Sequence, residues 1–247
     1  MSGHNKWSTI KNKKGKEDAK RGKIFTKHAR NITVAAREGG TDPEYNASLK
    51  TAIEMAKADN MPNDNIDRAI KKASGEAGGD NFERVIYEGY GPGGVAFIVD
   101  CLTDNKNRTA PDVRYIFDKF GGNLGTDGSV MFLFERKGEI IVKGEGKDLD
   151  EFMMDSLEAG ASDIKDLEEG YFEALTEVND FNSCLDNLRD MGYTIEKANI
   201  SYIANDLEVD KEHHENLFKL VDALEDNDDV QEVYNNWDMP SEEWDGI

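Results

Sequence analysis

Between residues 139 and 203 the chain alternates its hydrophobic period in an order that few folds can accept. Strand patterns run over Glu139–Lys143, Ser162–Leu167, Tyr171–Thr176 and Ile195–Ile203, and helical patterns over Leu149–Ala159 and Asp180–Met191. That is β-α-β-β-α-β, the split βαβ order. A second, interrupted set surrounds it. Arg84–Gly89, Val95–Leu102 and Ser129–Phe134 read as strands and Thr109–Phe120 as a helix; after the central block come a helix at Lys211–Glu225 and a strand at Val230–Asn235. One α/β domain inserted within another explains the interruption, with seams near 136 and 205. A single continuous α+β body is the alternative.

The first quarter reads differently. A helix is expected from Lys16 to Glu38, stopped by Gly39-Gly40. Asp42-Pro43 is expected to cap and open a second helix, whose Leu49, Ala52, Ile53 and Ala56 repeat at i, i+3, i+4 and i+7. Ile66, Ala69, Ile70 and Ala73 repeat that spacing in a third. Gly75–Asp80 reads as a linker. The expected partition is a basic helical head (1–78), a discontinuous α/β domain (79–135 plus 206–247) and an inserted α/β domain (136–205).

Charge follows the same division. Residues 1–72 carry 16 Lys+Arg against 9 Asp+Glu, a net of +7, whereas residues 73–247 carry 14 against 42, a net of −28. A polyanion is the partner that such a head invites. At about 100° per residue, Lys16, Lys20, Lys23, Lys27 and Arg30 fall within one sector of the first helix, opposite Phe25, Ala29, Ile32 and Ala36. Cations three and four residues apart are roughly 5–6 Å from their neighbours, a spacing suited to a phosphate backbone. Lys6, Lys11, Lys13, Lys14 and Arg21 extend the basic tract, and Trp7 offers a ring on which a base can stack. A solvated lysine face is the bland reading; it lacks the compensating acids, since only Glu17, Asp18 and Glu38 occur in the first 40 residues. The largely alanine apolar face favours packing on helices over membrane insertion.

Three polar or glycine-rich loops punctuate the body. Gly89–Gly94 joins two strands and lacks a P-loop ending, so it reads as a hairpin connection before a phosphate nest. Gly121–Ser129 is a long polar loop. Asp104–Thr109 precedes a helix with Thr109 as its expected N-cap; there Asn105, Lys106, Asn107 and Arg108 stand equally as contacts to phosphate or base edges and as a plain loop. Catalytic and metal-binding constellations are not found. His4, His28, His213 and His214 lack metal-ligand spacing, His213-His214 being expected at the surface, and no nucleophile elbow occurs. Cys101 and Cys184 are far apart, which fits a reducing cytoplasm and neither disulfide nor zinc. The longest apolar runs, Val95–Val99 and Val130–Phe134, are too short to span a bilayer, and no signal-peptide core opens the chain. The acidic, aromatic stretch from Trp237 to Ile247 reads as a loose, partly packed tail.

Several strings together resemble the YebC/PmpR family: Met1–Trp7, Lys20–Lys27, Tyr87–Gly94, Asp104–Thr109 and Gly121–Ser129. The resemblance spans nearly the whole chain. It implies an α+β protein with a three-helix N-terminal domain and two ferredoxin-like α/β domains, one inserted in the other. It further implies a probable transcriptional regulator that binds DNA; similar mitochondrial proteins are translational activators of cytochrome c oxidase, and bacterial members are linked to translation on the ribosome. The expected function is therefore a non-enzymatic nucleic-acid-binding regulator, without cofactor or metal, monomeric and free of membranes. The mixture of basic head and acidic body favours ribosomal RNA and its basic proteins over naked DNA, and no recognition-helix signature is present. An acidic protein–protein adaptor, or an enzyme holding a phosphorylated ligand at the glycine loops, are the alternatives.

Overall fold

The computed structural model describes residues 17–73, 82–144, 146–167 and 170–239. Among the described residues three helices form the head: α1 (Glu17–Gly39), α2 (Ala47–Ala58) and α3 (Asn63–Ala73). Their facing positions bury Ile32, Ala36, Leu49, Ala56, Met61, Ile66 and Ala69 in one core. The α1–α2 turn is organised by Asn46 rather than by Asp42-Pro43. The Asn46 side chain accepts from the Leu49 amide at 3.0 Å, capping α2, and its amide nitrogen donates to the Ala35 and Gly40 carbonyls at 2.8 and 2.7 Å. One buried side chain thus serves orphan groups of two helices, which Asp42 is too far upstream to do. Gly39 lies so close that a Cβ there would meet Asn46 at 2.6 Å. The linker at Gly75–Asp80 lies outside the described residues.

Among the described residues the body holds two four-stranded antiparallel sheets. The first contains β1 (Glu83–Tyr90), β2 (Ala96–Thr103), β3 (Asn123–Leu124) and β8 (Val230–Asn235), in the order β3-β1-β2-β8. Helices α4 (Lys106–Lys119) and α7 (Lys211–Glu225) cover one face, burying Phe97, Val99, Val113, Phe117, Leu217 and Leu224. All eight residues of β2 are buried. This central strand is covered on both faces, which is why Val95–Val99 reads as an unbroken apolar run instead of an alternation. The second sheet contains β4 (Phe134–Lys143), β5 (Asp163–Asp166), β6 (Tyr171–Thr176) and β7 (Thr194–Ala204), in the order β5-β6-β4-β7. Helices α5 (Leu149–Ala159) and α6 (Phe181–Asp190) cover it through Ile140, Val142, Phe152, Phe172, Leu185 and Leu188. The helical head followed by two such α/β units is the architecture expected of the sequence.

β4 and β7 carry the chain into and out of the second sheet, and they pair with each other from Phe134↔Ala204 to Lys143↔Thr194. Adjacent entry and exit strands are what an insertion requires, because its two ends must return to one place. The seam expected near 136 falls within β4; the one near 205 follows β7. The sheets meet through their helix-free faces, where the Tyr202 and Tyr234 rings lie 5.2 Å apart beside Phe134, Val130 and Ala204. On the helix-free face of the second sheet, the buried Glu139 carboxylate accepts from Lys197 Nζ at 3.1 Å and Ser201 Oγ at 2.8 Å. Arg84 clasps the buried Asp100 carboxylate on the equivalent face of the first.

Three local expectations fail for identifiable reasons. Ser129–Phe134 is not a strand: a 3₁₀ turn occupies Met131–Leu133 and pairing begins only at Phe134. The Glu88 carboxylate takes the amide hydrogens of Val130 and Met131, each at 2.8 Å, leaving them unable to join a ladder. Thr109 is not an N-cap. Asn105 caps α4 by accepting from the Arg108 amide, and Thr109 is buried inside the helix. His214 is buried rather than surface, its ring 5.2 Å from that of Trp237 and its Nε2 2.9 Å from the Val209 carbonyl. Trp237 itself is packed against Phe218, so the tail begins as part of the core.

Candidate nucleic-acid interface

The basic stripe of α1 meets the body at the end of α7. The last carbonyls of a helix have no intrahelical donors, and the helix dipole concentrates negative potential there. Lys27 Nζ donates to the Glu225 carbonyl at 2.9 Å and Lys23 Nζ to the Asp226 carbonyl at 3.0 Å. The Asp226 carboxylate lies 3.5 Å from the same Lys23 nitrogen. Arg30 reaches furthest, donating to the carbonyls of Leu102 at 3.1 Å and Asp228 at 2.6 Å, and to Asp229 Oδ1 at 2.9 Å. The stripe is therefore not an open cationic ridge over its described length. Lys23, Lys27 and Arg30 answer the missing counter-charges from residues about 200 positions away in sequence.

Asp229 is the hub of this seam. Its buried carboxylate also accepts from Arg108 Nη2 at 2.8 Å, Thr109 Oγ1 at 2.8 Å and Thr103 Oγ1 at 3.3 Å. Burial alone would raise its pKa, but the hydrogen bonds from Arg108, Thr109 and Arg30 prevail and hold it below the ordinary aspartate value. One carboxylate thus joins α1, the end of β2, the first turn of α4 and the α7–β8 turn.

The Asp104–Thr109 motif belongs largely to that seam. Asn105 is a helix cap, Lys106 pairs with Glu83 at 2.5 Å, and Arg108 bridges Asp104 and Asp229. Asn107 is exposed on the first turn of α4. Of these four side chains, Arg108 joins the Asp229 hub, Asn105 and Lys106 are held within the body, and Asn107 alone has no such engagement among the described residues. The side chains of Lys20 and Arg21, and the whole of Lys6, Trp7, Lys11, Lys13, Lys14 and Lys16, lie outside the described residues.

The glycine loops are filled by the protein's own groups. Glu88 offers one carboxylate to three backbone amides, Gly128 at 2.6 Å and Val130 and Met131 at 2.8 Å each. Desolvation opposes its ionisation, yet the three amides lower its pKa below the usual glutamate value. A backbone nest that would suit a phosphate already holds an internal anion. In the Gly89–Gly94 connection the Gly91 amide donates to the Val95 carbonyl at 2.8 Å, and Gly93 and Gly94 adopt φ of +69° and +78°. Left-handed backbone of this kind is the work of a tight connection.

Neither cysteine is an activated nucleophile. Both are buried and free; desolvation pushes the Cys101 thiol up to about 12 and the Cys184 thiol up to about 11. Among the described residues no group of three or more His, Cys, Asp or Glu side chains is placed to hold a metal ion, and no helix is long and apolar enough to cross a membrane.

Two family models account for nearly the whole chain: the TACO1/YebC protein N-terminal domain over residues 5–76, and the TACO1/YebC second and third domain over residues 82–237. A probable transcriptional regulatory protein of Finegoldia magna is 60% identical over 240 residues, covering 96% of this chain and 99% of that one. Another from Clostridioides difficile is 58% identical over 233 residues, covering 93% and 97%. The crystal structure of a conserved hypothetical protein from Aquifex aeolicus is similar with a TM-score of 0.83 at 47% identity, over 90% of this chain and 92% of that one.

Proposed function

The chain belongs to the TACO1/YebC family, and from that premise we propose that it is a non-enzymatic, nucleic-acid-binding regulator of gene expression that acts at an RNA–protein surface of the ribosome. The observation that carries this reading is the basic tract before the docked part of α1. Residues 6–21 hold seven cations, Lys6, Lys11, Lys13, Lys14, Lys16, Lys20 and Arg21, against only Glu17 and Asp18. Phosphate neutralisation by such a tract releases counterions and needs no base recognition. The relatives carry the name of probable transcriptional regulatory proteins, which supports a regulatory role. The acidic body supports the ribosome over duplex DNA, because it repels a bare polyanion and attracts basic protein. A Debye length of about 8 Å at physiological salt lets head and body act separately on such a mixed surface.

Binding to ribosomal subunits and to duplex DNA at one physiological salt concentration tests the proposal. Ribosome binding that weakens steeply with salt, and is lost when Lys11, Lys13, Lys14 and Lys16 become Glu, is the expected result. Tighter binding to duplex DNA than to subunits would overturn the ribosomal reading.

A second reading, an adaptor that touches proteins alone, is favoured by one surface. Met153, Met154 and Leu157 are exposed together on α5 among Asp150, Glu151 and Glu158. Ribosome association that survives RNase treatment would favour the adaptor.

A further inference from the structure

We propose that the outer face of α4 binds single-stranded nucleic acid, with Tyr115 as the stacking platform for a base and Arg114 and Lys119 as phosphate contacts; this rests on the regulator reading above and names a second contact surface for it.

The face is defined by helical spacing. Asn107, Pro111, Tyr115 and Lys119 follow one another at i, i+4 intervals on the side away from buried Thr109, Val113 and Phe117, with Arg114 beside them. Tyr115 is 64% exposed. A lone exposed aromatic needs no explanation, but this one borders a shallow depression of about 380 Å³ lined by Ala110, Pro111, Arg114, Tyr115 and Asp118. The Lys119 ammonium lies 6.0 Å from the Tyr115 ring centroid and 5.2 Å from that of Phe120.

Charge sets the face apart from the rest of the body. α4 carries Lys106, Arg108, Arg114 and Lys119 against Asp112 and Asp118 within a region whose net charge is −28; with Lys106 and Arg108 closed on Glu83, Asp104 and Asp229, the exposed face presents Arg114 and Lys119 in balance with Asp112 and Asp118, where the rest of the body is acidic. Many body cations close on a carboxylate: Arg84 on Asp100, Lys147 on Asp155, Lys197 on Glu139. Among the described residues Arg114 and Lys119 have no carboxylate partner. An exposed aromatic ring beside two cations without carboxylate partners, on a helix, is the composition of a single-strand platform: the ring takes any base face and the cations take the backbone. The Asp118 carboxylate on the same depression can accept from an exocyclic amino group, such as that of cytosine.

Position links this face to the basic tract. Tyr115 lies about 10 Å along the helix axis from Arg108, and Arg108 shares Asp229 with Arg30 of α1. A strand stacked on Tyr115 and running toward the start of α4 arrives at the seam where the head is attached.

The test is fluorescence anisotropy with a labelled single-stranded oligocytidylate, in RNA and DNA forms, on the full chain. Tyr115→Ala is expected to weaken binding about ten-fold, while Tyr115→Phe stays within about two-fold of the parent, because stacking needs the ring and not the hydroxyl. Changing Arg114 and Lys119 together to Ala is expected to lower the slope of log affinity against log salt by about 1.4. Unchanged thermal melting shows that the exposed variants fold. Tyr115→Ala binding as tightly as the parent would overturn the inference while leaving ribosome binding by the head intact. A parent that binds neither ribosomal subunits nor oligocytidylate would overturn both readings. Tighter binding of the RNA form would support a contact to the 2′-hydroxyl, and equal binding would support contact through stacking and phosphates alone.

Discussion

Arg30 of the first helix and Asp229 of the α7–β8 turn are joined at 2.9 Å across 199 positions of sequence, and the same aspartate holds Arg108 at 2.8 Å. Two guanidinium groups from different parts of the chain converge on one buried carboxylate. The head is therefore oriented by charge-assisted hydrogen bonds to the body and not by the chain connection alone.

Removing that carboxylate leaves Arg30 with only the Leu102 and Asp228 carbonyls and Arg108 with only Asp104, and takes from both the buried charge they share. Breaking a buried pair by deleting one partner costs about 3 kcal/mol or more, so Asp229→Ala is expected to destabilise the protein by about that amount in urea unfolding. Asp229→Asn keeps the shape and one acceptor and should cost less. An Asp229→Ala variant with parental stability and parental head position in solution scattering would exclude the hub role.

Acid should loosen the same contacts. Asp229 and Glu88 both have folded pKa values below their ordinary 3.8 and 4.5. Each binds protons more readily in the unfolded chain, so its stabilisation is complete above the ordinary value and is lost as pH falls through the lowered one. Stability is expected to hold from neutrality to about pH 5 and to decline below about pH 4. Glu88→Gln should flatten part of this decline, and hydrogen exchange should then quicken at the amides of Gly128, Val130 and Met131. Slow exchange persisting there in the variant would show that the carboxylate does not hold the loop.

Asn46 gives a prediction confined to the head. Its side chain caps α2 and also binds the Ala35 and Gly40 carbonyls. Loss of a cap costs about 1 kcal/mol, and buried carbonyls left without donors add about 1–3 kcal/mol more. Asn46→Ala is expected to unfold the head at lower denaturant than the body, visible as a separated first transition. Gly39→Ala should act on the same contact, since its Cβ would press on Asn46 at 2.6 Å.

The sequence carried the order of elements well because period and order are local properties. The nested β-α-β-β-α-β block is read from side-chain alternation, and β4 and β7 pair as an insertion demands. What sequence does not carry is the destination of a polar side chain. Lys23 and Lys27 were legible as a cationic stripe, yet their partners are the backbone carbonyls of Asp226 and Glu225, which every residue type possesses. The acid run Asp226, Asp228, Asp229 was the one readable hint of a basic partner. Ser129–Phe134 failed as a strand for the same reason: its amides were taken by Glu88, 42 positions from Val130. Arg114, Tyr115 and Lys119 carry no sequence signal of their own, because a helix with two acids beside four cations looks like any solvated face.

The two halves of the basic tract should separate by experiment. Lys23 and Lys27 are engaged with the end of α7, so changing both to Glu places like charges against Asp226 and the helix terminus. The expected result is a head released from the body, seen as a larger radius of gyration and faster exchange at the Leu102 and Asp228–Asp229 region. Reversing Lys11, Lys13, Lys14 and Lys16 acts on the tract ahead of those contacts. It is expected to reduce ribosome binding by about 10³-fold at 200 mM salt if four phosphate contacts are replaced by repulsion, with the radius of gyration unchanged. If instead the Lys23 and Lys27 reversal abolishes binding while the head stays docked, those two lysines contact the polyanion directly, and the docking seen at Glu225 and Asp226 gives way when nucleic acid binds.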